Sequence, residues 1–470
     1  MAMQAVGMGC SQPTPNLKSR SGYDLCVIGS GFAGVHLALR AAAAGLQTIV
    51  IEPGSELANS FGYLNSGDVR YPVAAARAIA VGGTSTHWTG VVSRMWPRNF
   101  ALRSTFGHFV DWPITYKDLE PYYCESEELL SVLGRKPVVG AEPPRICDYP
   151  QLDENQRTEG LSIRGEELDF FFKAVSRRGD GPVRLANIEI PSLVESSHGS
   201  LMQDHRVTNI VTLDGQSIDH VVARAKDGTK SIVSAKYFVV AAGVIESPRL
   251  LLMSQSQWFP RGIGNNYGQV GRHFLHHPHL YSEFVPKDTR IGTSMTMVRT
   301  HSLDSVMLEQ GLNACNFQLD KTSWYPRGMI IGLSPDTAPH ADNRLSLSSQ
   351  QLDSFGLPIP NLQLRRTDVD LRTIAFAKEL ASEISVEMGG DEELSFGERI
   401  HSHPAGLCRM GSDNEVGVVD GNNKVFGTEN LYVSGACVFP TSGATNPTNT
   451  VVALTLRLAD HLIERHRSLN

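Results

Sequence analysis

The chain has 470 residues, enough for about three domains or two large ones at roughly 100–200 residues each, and a chain of this length buries a full core without staples. Apolar residues make up 41% and charged residues 19%, a globular balance that argues against wholesale disorder. A net charge of −7 with no long basic run argues against nucleic-acid and membrane-surface binding, and no stretch of roughly 18 apolar residues offers a membrane span.

Residues 1–22 read as a disordered leader, lacking the basic start and apolar centre of a signal peptide. Tyr23–Ile28 reads as a buried strand, Ala33–Ala44 as a helix stopped by Gly45, and Leu46–Ile51 as a second buried strand. That βαβ unit implies a parallel sheet. A loop-rich region follows to about Phe100 and holds the small-residue run Gly82–Gly90. Thr115, with Asp118 three residues on, reads as the start of a helix. Residues 135–200 carry no sustained period. Arg206–Gly243 alternates apolar and polar residues with turns at Asp214-Gly215 and Asp227-Gly228, the pattern of strands and hairpins. From about His276 to Arg399 the text changes to amphipathic strands and one long helix near Leu371–Met388, read as a second domain. Glycine-rich, strand-like text resumes at His401–Gly443, and a helix from Thr448 to about Arg465 closes the chain. The seven cysteines are odd in number with no C-x-x-C pair, so neither a disulfide framework nor a zinc site is expected, and a reducing, cytoplasmic setting is.

Gly29-Ser30-Gly31-Phe32-Ala33-Gly34 is a G-x-G-x-x-G between a strand and a helix, with Glu52 at the next strand end. Gly29 permits the tight turn, Gly31 lets backbone approach a pyrophosphate, and Gly34 lets helix and strand pack closely. The helix N-terminus presents free N–H groups to phosphate, and Glu52 can accept from a ribose diol. One fingerprint, with a late strand ending in Ala241-Ala242-Gly243, favours a single FAD over a pair of dinucleotides.

From Tyr23 to about Asp460 the chain resembles the glucose–methanol–choline oxidoreductases. The matching text is GVIESPRLLLMS (from Gly243), VGRHFLHHP (from Val270), HPAGLCRMG (from His403) and the tail from Asn430. It departs from the usual motifs at Gln255, His273, His276 and Leu407. Ser85-Thr86-His87-Trp88-Thr89 is similar to the setting in which pyranose oxidases and related glycoside 3-oxidases bond the flavin to a histidine. The resemblance implies an α/β flavin domain from residues 23–134, 200–275 and 400–470. It implies a mainly antiparallel substrate domain, with helices on one face, from 135–199 and 276–399.

It also implies FAD contacts at Gly82, Gly83, Thr84, Ser85, Trp88 and Thr89, a covalent link through His87, and further contacts at Val207, Ala242, Gly243, Gly435, Ala436, Pro447 and Thr448. No metal is implied for the cluster His273, His276, His277 and His279. The extra head domain and oligomerisation arm of the longer fungal pyranose oxidases are expected to be absent, and the oligomeric state stays open.

Oxidising an alcohol removes a proton from O–H and a hydride from C–H. Flavin N5 takes the hydride, and a base of near-neutral pKa takes the proton. By motif position the base is His403, and Asn446 orients the oxygen. The expected substrate is a pyranose sugar or glycoside, oxidised at C2 or C3, with O2 or another acceptor reoxidising the flavin. Two alternatives stand beside it: a sugar or polyol dehydrogenase feeding a quinone or protein acceptor, and a lyase that keeps FAD without redox use.

Overall fold

The computed structural model describes residues 17–54, 62–135, 142–152, 159–172, 174–287, 298–300, 302–320 and 328–469. The expected βαβ unit is present: strand Leu17–Ile28, helix Phe32–Ala43 and strand Thr48–Glu52. Both strands bury apolar residues on two faces, as a covered parallel sheet requires. The first strand begins earlier than expected. Residues 1–16 lie outside the described residues, but Leu17–Arg20 pair in parallel with Lys230–Val233, so the expected leader gives way to strand there. A register shift between Arg20 and Tyr23 takes up Gly22 at a φ of +90°, a backbone suited to glycine.

The first sheet runs in the order His205–Thr212, Ile218–Ala225, Lys230–Val240, Leu17–Ile28, Thr48–Glu52, Gly199–Gln203, with Leu431–Val433 also on Lys230–Val240. Its parallel strands end together at Ile28, Glu52, Val240 and Val433. In such sheets the crevice beyond those carboxyl ends takes the ligand. The long terminal helix, Thr448–Leu469, packs on the fingerprint helix, where Arg40 grips Asp460 with two bonds of 2.6 and 2.7 Å.

The second sheet is antiparallel throughout. It holds Gly397–Ala405, Leu275–Phe284, Met329–Pro335, Cys315–Asp320, Val298–Thr300, Glu166–Phe172 and Glu159–Ile163 in that order. Helix Asp368–Glu387, started by a Thr367–Asp370 capping box, covers it and buries Ala377, Leu380, Ala381 and Ile384 against Phe317 and Leu333. Residues 135–199, expected as one piece of this unit, divide. Glu159–Phe172 joins the sheet, whereas Val183, Leu185, Ile190 and Leu193 pack into the core of the first sheet. A hairpin, Arg344–Leu352 and Pro358–Leu364, pairs with Leu64–Gly67 in a separate small sheet.

Leu275–Phe284 and Gly397–Ala405 run between the two units. Leu275 and Ala405 belong to the first core, and Leu280 and Phe284 to the second. A disulfide, Cys124–Cys147, corrects the expectation drawn from the cysteine count. Helix Tyr116–Leu129 and the segment after Glu142 bring the two Cα atoms to 6.1 Å, and that proximity, which sequence spacing does not report, is what pairing needs. The argument from cysteine usage to a reducing compartment loses its premise. Cys26, Cys315, Cys408 and Cys437 are free and buried. No described helix is long and apolar enough to cross a membrane.

Candidate active site

A cavity of about 610 Å³ opens beyond the parallel strand ends. At one end lies the fingerprint. Gly29, at a φ of +107°, packs so closely that an added Cβ would come within 2.6 Å of the Ala241 carbonyl oxygen. One on Gly34 would fall 1.9 Å from the Gly29 oxygen. Gly31 differs: a Cβ there meets no protein atom within 4 Å, so the residue borders open cavity. Gly243 borders it in the same way. Glu52 is buried and accepts from the Ser30 amide at 3.0 Å, the Ser30 hydroxyl at 2.7 Å and the Gly54 amide at 3.1 Å. Burial pushes its carboxyl above the usual range, against the lowering effect of those bonds.

Ser30 also joins the two small-residue motifs, because its hydroxyl accepts from the Gly82 amide at 3.0 Å. Gly34, Gly82 and Ser85, expected as cofactor contacts, are not on the cavity wall. They brace it from behind. Gly34 seats the helix on the loop, and the Ser85 hydroxyl donates to the Gly82 carbonyl while accepting from the Leu185 amide. Gly83 does line the cavity, and its close neighbour is the Gly31 backbone, 2.9 Å from a built Cβ. Phe32, Ala33, Val207, Ala242, Gly435 and Ala436 also line the cavity.

The wall continues through Thr84, His87, Trp88 and Thr89. The Trp88 indole donates to the Val183 carbonyl at 2.8 Å and meets Phe32 edge-on. Arg184 holds the turn through the Ser85 and Trp88 carbonyls at 2.6 and 3.1 Å. Pro447 and Thr448 bring the N-terminus of the terminal helix to the same wall. Tyr123, Ser126 and Glu127 of helix Tyr116–Leu129 fix its first turn through Thr450 and Asn449. That leaves a helix dipole aimed at the cavity, where it favours negative charge.

His403 and Asn446 meet here, with Asn446 Nδ2 2.8 Å from His403 Nε2. His403 has a φ of +57°, an uncommon backbone for a non-glycine residue. The cause is the pairing of its strand. Gly397–Ala405 shifts register twice against Leu275–Phe284, between Leu275 and His277 and again between His277 and Pro278, so extra residues bulge from the His403 strand. Bulges re-aim side chains next to reactive sites. The two strands bring His277 Nδ1 to 2.8 Å from His403 Nδ1. Behind it, His277 Nε2 lies 3.2 Å from the Ser442 hydroxyl, which donates to Asp336 at 2.5 Å.

Motif reading missed His277, Ser442 and Asp336. Their only local signal was the doubled histidine, which also invited a metal reading, and His277 is the member of that cluster that reaches His403. The side chain of His401 lies outside the described residues. Four further residues on the wall, Tyr71, Arg77, Arg206 and Glu246, went unread. Tyr71, 1% exposed, carries a hydroxyl without a partner among the described residues. Glu246 is the meeting point of Arg77 at 2.6 Å and Arg206 at 2.9 Å. Burial pushes its carboxyl up, but the Arg206, Arg249 and Arg77 guanidiniums together hold it below the usual range.

The donor set fits a dinucleotide: a glycine with open space before it, a helix N-terminus and a buried carboxylate at the next strand end. Comparison with known proteins agrees. Residues 24–68 match the description "FAD binding domain", and residues 339–455 match "GMC oxidoreductase". The chain is 28% identical to a C-glycoside 3-oxidase of Microbacterium trichothecenolyticum, covering 88% of this chain and 80% of that protein. It is 26% identical to the fructose dehydrogenase large subunit of Gluconobacter japonicus, covering 82% and 80%. A solved formate oxidase of Aspergillus oryzae, 16% identical, superposes with a TM-score of 0.69 over 97% of this chain and 100% of that one. The chain matches the GMC oxidoreductase C-terminal domain and an FAD-binding domain, and is an FAD-dependent oxidoreductase similar to that family.

Proposed function

We propose that this enzyme oxidises a secondary hydroxyl of a pyranose sugar or glycoside, at C2 or C3, to the ketone. The carrying observation is the meeting of His403 and Asn446 at 2.8 Å on the wall of the cavity that begins at the fingerprint. The similarity to the C-glycoside 3-oxidase supports the substrate class. FAD, when bound, supplies a hydride acceptor. His403 Nε2 takes the hydroxyl proton as the O–H bond breaks, and the Asn446 amide donates to the same oxygen without competing for that proton. Thr448 and the helix behind it favour the negative charge that builds on the cofactor side. The neighbouring His87 carries the flavin covalently. In the fructose dehydrogenase-like reading, supported by that relative, the reduced enzyme passes its electrons to a quinone or protein acceptor instead of O2.

A panel of sugars, glycosides and polyols added anaerobically tests the reading. A pyranose or glycoside bleaches the flavin band, and admitting air separates oxidase from dehydrogenase. No bleaching by any of them overturns redox function and leaves the lyase alternative. His403→Ala keeps the yellow flavin but slows reduction by about 10²-fold or more, the usual size of general-base effects. Denatured wild type stays yellow while denatured His87→Ala releases its flavin. If the wild type also releases it, the covalent link is wrong.

A further inference from the structure

The hydrogen bonds behind His403 have their directions forced by one group. The Asp336 carboxylate can only accept, so the Ser442 hydroxyl, 2.5 Å away, donates its proton to it. Having spent that proton, Ser442 Oγ accepts from His277 Nε2 at 3.2 Å. His277 therefore carries its proton on Nε2 and offers the Nδ1 lone pair to His403 Nδ1 at 2.8 Å. His403 donates from Nδ1 and leaves Nε2 unprotonated, and the Asn446 amide at 2.8 Å donates to that atom. Five side chains from distant parts of the chain thus agree on one set of tautomers. All but the His403–Asn446 end sit in the protein interior: His277 is 1% exposed, Ser442 2% and Asp336 7%.

We infer that Asp336, acting through Ser442 and His277, is a positioning device that fixes His403 in the tautomer whose Nε2 lone pair faces the cavity and stabilises the imidazolium formed when that nitrogen takes a proton. The inference deepens the proposed function, since it rests on His403 as the base. The step balances simply: the substrate O–H bond breaks, a His403 Nε2–H bond forms, and the new positive charge is shared along the bonds toward one fixed carboxylate. The direct distance from His277 Nε2 to Asp336 Oδ1 is 3.6 Å, too long for a hydrogen bond, so Ser442 is the link. Around the chain, His276 is the neighbouring titratable group on the His277 strand. Burial, helped by the Arg366 charge, pushes it down to about 3, so it stays neutral. Beside helix Val73–Ala76, which packs on the His403 strand, Arg77 is paired with Glu246.

Asp336→Asn is the deciding variant. Its amide can donate to Ser442, which would turn every bond in the chain around and put the proton on His403 Nε2. Imidazole 15N NMR of the holoprotein, assigned with His403→Gln and His277→Gln, reads this without substrate. The wild type shows His403 Nε2 unprotonated, and Asp336→Asn shows it protonated with an unchanged flavin spectrum. With substrate, that variant loses about 10²-fold in anaerobic reduction rate at nearly constant KM, in the range of general-base effects. Its residual rate rises with pH at a lower midpoint than in wild type, because the imidazolium has lost its counter-charge. Should Asp336→Asn fail to fold, Ser442→Ala carries the test, with a mixed tautomer and a loss of about 10-fold. A wild-type His403 protonated on Nε2 overturns the inference outright, as do variants with the wild-type tautomer and rate. If no alcohol reduces the flavin, the proposed function fails while the tautomer remains readable, so the two failures are distinct.

Discussion

At the nucleotide end of the cavity, six consecutive residues, Gly29–Gly34, sit between a strand and a helix and are completed by Glu52, 22 residues from Ser30. At the reactive end, His403 meets His277 across 126 residues, His277 meets Ser442 across 165, and Ser442 meets Asp336 across 106. The first end is local backbone geometry, in which glycines permit turns and contacts that any Cβ forbids. The second is tertiary geometry, in which one bulged strand and its neighbour decide what a histidine touches. Each should break by its own mechanism.

The largest expected effect separates two glycines of one motif. Gly34→Ala puts a methyl 1.9 Å from the Gly29 oxygen, inside a backbone that cannot give. It should lower stability by at least the roughly 1–3 kcal/mol of an overpacked core and leave the purified protein colourless. Gly31→Ala meets nothing within 4 Å in the protein and should keep its apoprotein melting temperature while losing FAD affinity. Melting curves and flavin content check both. Equal melting temperatures for the two variants would contradict the separate jobs assigned to them.

That contrast also marks what could be read in the sequence. The βαβ unit, the capping box at Thr115 and the terminal helix follow from spacing alone, because turns, caps and 3.6-residue periodicity are local. His403 and Asn446 came from resemblance, and their proximity needed the fold. Nothing near His277 announces its partner: which residue faces it is set by two register shifts between strands far apart in the chain. Residues 135–199 were opaque because they serve two cores, so no single face of the segment is consistently apolar.

The disulfide sharpens the comparison from the nucleotide side. Cys124 lies on the helix whose Tyr123, Ser126 and Glu127 hold the start of the terminal helix. Closing a loop over a separation of 23 residues is worth about 3 kcal/mol in the chain-entropy account. Reduction, or replacement of both cysteines by alanine, should lower the denaturant midpoint accordingly and speed flavin loss from noncovalent forms such as His87→Ala. The His403 tautomer should be unchanged, because Asp336, Ser442 and His277 set it. A change in both would mean that the two ends are coupled.

The last comparison concerns acid. His36 sits in the fingerprint helix, and His273 and His276 sit beside the reactive end. Burial first, helped by nearby arginines, pushes His36 down to about 4 and the other two to about 3. Unfolded histidines bind protons near pH 6.5, so below that pH the unfolded state takes up protons that the native state refuses, and stability falls as pH falls. Each histidine costs about 1.4 kcal/mol per pH unit between 6.5 and its folded value, and nothing above that window. The reactive side holds two of the three, so acid should open it first, with earlier amide exchange in Leu275–Phe284 than in Phe32–Ala43. His36→Leu removes a buried imidazole whose Nε2 has no partner among the described residues. It should flatten the pH dependence of stability by that single increment and leave exchange in the histidine-bearing strand as it was.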